Sequence, residues 1–241
     1  MRPHHLKRTL AFLVAAGGLI LIIFMILSDN LLESRMRMNP HQRADIMLPH
    51  PDFSSNTPVE AALKIRRSIR SYQNSPVTMQ EVGQLLWAAQ GITSEQGYRT
   101  APSAGALYPL EVYVAAVNVE NLPAGIYHYI PQRHALAKIT DGNPRDAISK
   151  AALHQEAANT SAVNIVITAS FARTTHKYGE RGERFVYMEA GHAAENIYLQ
   201  AVALNLGTVA IGAIDEMLTR KALHIANDEA PLYIMPVGKP V

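Results

Sequence analysis

From Thr9 to Leu27 the chain runs TLAFLVAAGGLILIIFMIL, about 19 residues without a single charge. No face of such a helix is polar, so its natural environment is a bilayer, and its length suits one crossing. Gly17 and Gly18 are tolerated there, because lipid offers the backbone no hydrogen-bond partner better than the helix itself. Two alternatives stay open. A cleaved signal peptide would want a shorter apolar core and a small-x-small site, but this run ends Phe24-Met25-Ile26-Leu27. A buried soluble helix would want a polar face. The expected layout is a basic flank at 1–8, a membrane helix at 9–27, a linker at 28–57 and a domain at 58–241. Arg2, Lys7 and Arg8 lie closer to the span than Arg35, Arg37 and Arg43, which favours a domain on the non-cytoplasmic side.

Beyond the anchor the composition is that of a packed domain: 48% hydrophobic and 17% charged overall. The net charge of +2 and the absence of any Lys/Arg-rich run argue against a nucleic-acid partner. There is no cysteine, which removes disulfides, iron–sulfur clusters and thiol nucleophiles.

Local signals predict interleaved helices and strands. Thr57-Pro58 opens a helix carrying Val59, Ala62, Leu63 and Ile65. Thr78-Met79-Gln80-Glu81 is a capping box, and Val82, Leu85, Leu86 and Ala89 continue as an apolar stripe to Gly91. Strands are expected at 110–118, 163–169, 208–214 and 232–237, with a hairpin at 125–130 and 135–139. Asn143-Pro144 opens a helix. A long helix spans about 183–206, with Gly207 as its left-handed terminal residue. Asp215 caps a last short helix reaching His224. A sheet flanked by helices follows.

Four stretches hold residues suited to chemistry. Arg66, Ser68 and Arg70 could grip a phosphate by forked, charge-assisted hydrogen bonds, or form a solvated basic helix end. In Pro102-Ser103-Ala104-Gly105 small side chains would let a backbone approach a flat ligand; an ordinary loop reads the same way. Ile211-Gly212-Ala213 could aim backbone donors at a ring heteroatom, or simply turn out of a core strand. Lys177-Tyr178 could supply a base and a hydrogen-bond donor, or be a surface pair. His192 and Glu195 have metal-ligand spacing on a helix, but nothing nearby completes a site, and no metal is expected. No dinucleotide-binding G-x-G-x-x-G follows a strand.

In order along the chain, RRSIRSY, LLWAAQGIT, RTAPSAGALYPLEVYV, GIYHY, KYGERGERFVYMEAGHAAENIYLQAVALNLGTVAIGA and PLYIMPVGKP resemble the nitroreductase superfamily. They are most similar to its SagB-type branch, the azole-forming dehydrogenases, from about Leu48 to the C-terminus. The resemblance implies an α+β fold, a mixed sheet sandwiched by helices, assembled as a homodimer with FMN at the interface. It implies that Arg66 and Ser68 meet the phosphate and ribityl chain, and Arg70 the pyrimidine edge. Pro102, Ser103, Ala104 and Gly105 would line the cofactor from the facing subunit. Ile211, Gly212 and Ala213 would put donors near N5, and Lys239 would meet the phosphate. Lys177 and Tyr178 occupy the place of a proton-removing pair. The implied activity is an FMN-dependent oxidoreductase moving two electrons as hydride, with NAD(P)H as a candidate donor. The alternatives are an azoline-to-azole dehydrogenase of peptide maturation and a non-catalytic, membrane-anchored flavin-binding protein.

Overall fold

The computed structural model describes residues 45–225 and 227–241. The basic flank, the apolar run at 9–27 and the linker up to residue 44 lie outside them. Among the described residues no helix is long and apolar enough to cross a membrane.

In chain order the elements are β1 (Ile46–Met47), α1 (Val59–Ile65), α2 (Met79–Gln90), β2 (Leu110–Ala116), β3 (Gly125–Ile130), β4 (Ala135–Asp141) and α3 (Arg145–Ala151). There follow α4 (Glu156–Thr160), β5 (Val163–Ala169), α5 (Ala172–Tyr178), α6 (Arg181–Ala203), β6 (Gly207–Thr208), α7 (Glu216–Leu223) and β7 (Ala230–Gly238). Seven strands form one sheet in the order β1-β4-β3-β2-β5-β7-β6.

The expected mixed sheet needs correction: every named strand pair is antiparallel. Parallel pairing is confined to isolated bridges, Ser68 with Thr208 and Val77 with Val119. The reason lies in the connections. Hairpins join β2, β3 and β4, and β5 and β7 run against their neighbours on returning.

Period-two alternation places two cores on the two faces. Val112, Val114, Ile165, Ile167 and Met235 pack with Leu85 and Leu86 of α2 and Ala190, Ala193 and Ile197 of α6. Tyr113, Ala115, Val166 and Ile234 pack on the other face with Ile148, Ala158 and Leu223 from α3, α4 and α7. All seven residues of β5 are buried, as a strand covered on both faces requires. The helices do sandwich the sheet.

The capping box forms: Thr78 accepts the Glu81 amide N–H, and Glu81 Oε2 accepts the Thr78 N–H at 2.6 Å. Three expectations are corrected. Residues 45–57 are not a plain linker, since Ile46–Met47 pair with Ala135–Leu136 and Leu48 is buried. Gly207 does not end the long helix: α6 stops at Ala203 and Asn205 takes the left-handed conformation, φ 57°. A Cβ on Gly207 would come within 2.6 Å of Ile69 Cγ2, so close approach is what glycine serves there. The strand expected at 208–214 shrinks to Gly207–Thr208 plus a bridge from Ile211 to Ile234, because the chain then peels away towards the Asp215 cap.

Candidate functional site

Arg66 leaves α1 in an extended conformation, and the chain after it runs along the β6 edge of the sheet. Ile69 N–H donates to Thr208 O at 2.9 Å, and Gln73 N–H donates to Lys239 O at 2.9 Å. Tyr72 bridges Pro240, and its hydroxyl donates to Ile69 O at 2.7 Å. Backbone pairing therefore gathers Arg66, Ser68, Arg70 and Lys239, from opposite ends of the domain, along one edge.

Hydrogen-bond accounting shows what that edge lacks. The Tyr198 hydroxyl accepts the Ala210 N–H at 2.8 Å and lies 3.0 Å from Ser68 Oγ. Either hydroxyl can be the donor in that pair, and when Tyr198 donates, the Ser68 proton is free for a ligand. Thr208 Oγ1 is buried without a partner among the described residues. Among the described residues the Arg70 guanidinium reaches only Ser68 O, at 3.4 Å. Lys239 makes no side-chain hydrogen bond or ion pair among the described residues. Arg66 lies 5.1 Å over the Tyr198 ring, with Glu195 Oε1 at 3.8 Å. Hydroxyl donors and weakly engaged cations on one edge are the chemistry of an anion site, and a flavin phosphate fits it. Ile211 is held by reciprocal bonds to Ile234, whereas Gly212 and Ala213 beyond it are exposed. No hydrogen bond within the described residues takes the amide N–H of either, so both remain available donors.

The second group forms around the turn from Ser103 to Tyr108. Its backbone has positive φ at Gly105 (65°), Ala106 (54°) and Tyr108 (47°), a run that persists only where the surroundings enforce it. Ser103 Oγ accepts the Tyr108 N–H at 2.9 Å. Arg99 sits 4.5 Å over the Tyr108 ring and donates to Gln90 Oε1 at 2.7 Å. Arg173 donates to Tyr108 O at 3.0 Å and pairs with Glu111, which also meets His128 Nε2 at 2.7 Å. Burial works to raise the Glu111 pKa, but hydrogen bonds from His128 and Arg173 outweigh it and hold the carboxyl below its ordinary value.

Lys177 and Tyr178 end helix α5. Their position relative to the turn is the more telling result. A Cβ built on Gly105 would lie 2.7 Å from the Tyr178 hydroxyl and 2.9 Å from Lys177 Nζ. Two stretches picked out separately in the sequence are thus in contact, and Tyr178 is further braced edge-on by Phe185 at 5.3 Å. Pro102 and Ala104 lie on the same turn.

Within one chain the two groups remain apart. Helix α6 touches the β6 edge through Tyr198 and the turn near Glu189, nine residues earlier, roughly 13 Å along a helix. His192 is exposed on this helix, and among the described residues no three His, Cys, Asp or Glu side chains cluster to hold a metal. Sequence reasoning missed Glu189 itself. It is 2% exposed, and burial pushes its carboxyl up to about 7 although Ser103 and Arg99 both favour the charged form. The signal was available: Glu189 interrupts the apolar stripe of Val186, Ala190, Ala193 and Ile197.

The sequence pattern of the nitroreductase family matches residues 63–239. The chain belongs to the nitroreductase family. It is 44% identical over 183 residues to the nitroreductase-like protein MJ1384 of Methanocaldococcus jannaschii, covering 76% of this chain and 91% of that one. It is 30% identical over 146 residues to the microcin B17-processing protein McbC of Escherichia coli, covering 58% of this chain and 54% of McbC. The structure of a nitroreductase-like protein from Anabaena variabilis superposes with a TM-score of 0.73 at 30% identity, over 82% of this chain and 42% of that one. The chain thus spans about half the length of McbC and less than half of the Anabaena protein. The nitroreductase fold and kinship with the peptide-processing branch, both expected from the sequence, stand.

Proposed function

We propose that this nitroreductase-family domain is an FMN-dependent oxidoreductase that moves two electrons between a donor and an acceptor. The observation that carries the reading is the β6 edge, where the Ser68 hydroxyl, buried Thr208 Oγ1 without a partner among the described residues, the Arg70 guanidinium with only a 3.4 Å contact to Ser68 O, and the unpaired Lys239 ammonium come together. Arg66, Ser68 and Lys239 would hold the phosphate end of FMN, Arg70 its pyrimidine edge, and Gly212 and Ala213 would offer amide donors near N5. Bound FMN would supply hydride exchange at N5, chemistry that no side chain of the protein can perform.

The residues of the chain then bind, orient and handle protons. The edge cations balance the negative charge of the phosphate, and the pre-set amides cost no reorganisation when charge develops beside them. Lys177 Nζ and the Tyr178 hydroxyl, meeting at Gly105, are placed to take a proton from a substrate carbon or heteroatom or to return one. Because the turn and the phosphate edge are apart within one chain, a twofold partner is proposed to supply Pro102–Gly105 to the edge of its mate. Exposed Val59, Leu63 and Ile65 around α1, with Tyr187 and Met188 on α6, are apolar surface suited to such a homodimer.

A second reading is azoline-to-azole dehydrogenation of a peptide, favoured by the Lys177–Tyr178 contact with the turn and by the kinship with McbC, named as a processing protein. In it the substrate is itself the donor; in the first, NAD(P)H is the candidate donor. The apolar run at 9–27 is proposed to tether the domain to a membrane, on its non-cytoplasmic side. Anaerobic mixing of the flavin-loaded protein with NADH, NADPH or an azoline peptide separates the readings by which one bleaches the flavin. Bleaching by none of them, or a protein that takes up no FMN, defeats both.

A further inference from the structure

Arg173 ties helix α5 both to the 103–108 turn and to the sheet. It sits in the first turn of α5, and its guanidinium reaches two ways. Nη1 donates to Tyr108 O at 3.0 Å, and Nη2 donates to Glu111 Oε1 on β2. The other Glu111 oxygen meets His128 Nε2 of β3 at 2.7 Å, and the His128 ring stacks on Tyr113 at 4.8 Å. Each oxygen of the carboxylate thus has its own partner, and Glu111 cannot swing away without losing both.

An ordinary exposed ion pair between a helix and a sheet contributes little. This one differs. The Glu111 side chain is only 17% exposed, and a planar fork that spans a carboxylate and a backbone carbonyl fixes orientation as well as distance. The carbonyl it takes belongs to Tyr108, the last residue of the positive-φ run at Gly105, Ala106 and Tyr108. The first residue of that run lies against the other end of the same helix. A Cβ on Gly105 would be 2.9 Å from Lys177 Nζ and 2.7 Å from the Tyr178 hydroxyl. Lys177 follows Arg173 by four residues, roughly 6 Å along the helix. Helix α5 therefore holds the turn at both ends, and Ser170 N–H, donating to Pro109 O at 2.9 Å, secures the chain between them.

We propose that Arg173 is a positioning residue: anchored by Glu111 and His128, it sets where Lys177 and Tyr178 stand against the 103–108 turn. The proposal deepens the oxidoreductase reading and rests on it for its purpose, but the clamp itself is testable without flavin. Without the fork, α5 and the turn are free to shift past each other. Lysine at this position keeps the charge but, as a point donor, cannot hold the carbonyl and the carboxylate in one plane.

The test uses the full chain as wild type, Arg173→Ala, Arg173→Lys and Glu111→Gln, with two measurements. The first is hydrogen exchange in the flavin-free protein at the Ala106 and Tyr108 amides, which donate to Ser103 O and Ser103 Oγ. Their protection should fall about tenfold in Arg173→Ala and about threefold in Arg173→Lys and Glu111→Gln. The second is turnover of the FMN-saturated protein, with NADH and a nitroarene and with an azoline peptide. There kcat should fall about tenfold or more in Arg173→Ala and recover in part in Arg173→Lys, with KM within about twofold of wild type. A merely structural tie would lower the melting temperature and leave kcat of the folded protein unchanged. Should Arg173→Ala fail to fold, Arg173→Lys and Glu111→Gln carry the same test. Wild-type protection of both amides in the variants, or a folded, flavin-loaded variant with wild-type kcat, overturns the proposal. Protection that falls as expected in a protein that never takes up FMN upholds the clamp and removes the oxidoreductase reading instead.

Discussion

Replacing Gly105 by alanine separates the chemical role of the turn from its structural one. Gly105 has φ 65° and ψ 17°, so any L side chain there is left-handed and costs about 1–2 kcal/mol. The new Cβ would meet the Tyr178 hydroxyl at 2.7 Å and Lys177 Nζ at 2.9 Å, both far ends of movable side chains. Those ends must shift by about 0.5–1 Å, and off-rotamer strain of that kind adds about 0.5–1.5 kcal/mol. The total, about 1.5–3.5 kcal/mol, lowers the melting temperature by roughly 3–14 °C in a domain of this size. The protein still folds, since natural domains hold about 5–15 kcal/mol in reserve. Turnover should suffer far more: a proton-handling group misplaced by about 1 Å costs on the order of a hundredfold. The assay pairs thermal melts with steady-state turnover and FMN titration on the same preparation. A variant that folds and binds FMN, yet turns over like wild type, would refute a role for Lys177 and Tyr178 at this turn.

Gly207→Ala should destabilise the fold by about 1–3 kcal/mol, because its Cβ would strike the branched Ile69 at 2.6 and 2.8 Å with nothing flexible to yield; thermal melts of Gly207→Ala with and without Ile69→Ala, which removes the Cγ2 at 2.6 Å, check the cause. Thr78→Ala should cost about 1 kcal/mol in chemical denaturation through loss of the α2 cap; no change would mean Glu81 alone suffices. The folded protein keeps the Glu189 proton up to about pH 7, while an unfolded chain releases it near 4.5, so the native state binds more protons between these values and this group's contribution falls as pH rises. Glu189→Gln should therefore be on the order of 2–3 kcal/mol more stable than wild type at pH 8 relative to the difference at pH 4.5; a pH-independent difference in urea unfolding contradicts the burial argument.

What was legible in the sequence is what neighbouring residues decide among themselves. The Thr78–Glu81 box, the Asp215 cap and the fully apolar β5 are local signals, and each element lies where those signals put it. What was hidden depends on residues distant in sequence. Residues 45–57 look like a linker because the strand partner that orders Ile46–Met47 lies at Ala135–Leu136. Gly207 looked like a helix terminator, but its constraint is Ile69, on a segment that sequence alone does not bring near. The candidate site divides the same way. Arg66, Ser68, Arg70 and Lys239 were nameable from residue type and resemblance, whereas the gathering edge is made by Ile69–Thr208 and Gln73–Lys239 backbone bonds. That Lys177 and Tyr178 touch Gly105 had no local sign at all, and Glu189 was concealed as one acid in an alanine-rich helix.

FMN titration of wild type, Arg70→Ala and Lys239→Ala bears most directly on the anion edge. Wild type should take up FMN and turn yellow, and each variant should bind it about ten- to a hundredfold more weakly, the loss of one charge-assisted contact. A colourless wild type that FMN does not reconstitute, or variants that bind flavin as tightly as wild type, would contradict the account.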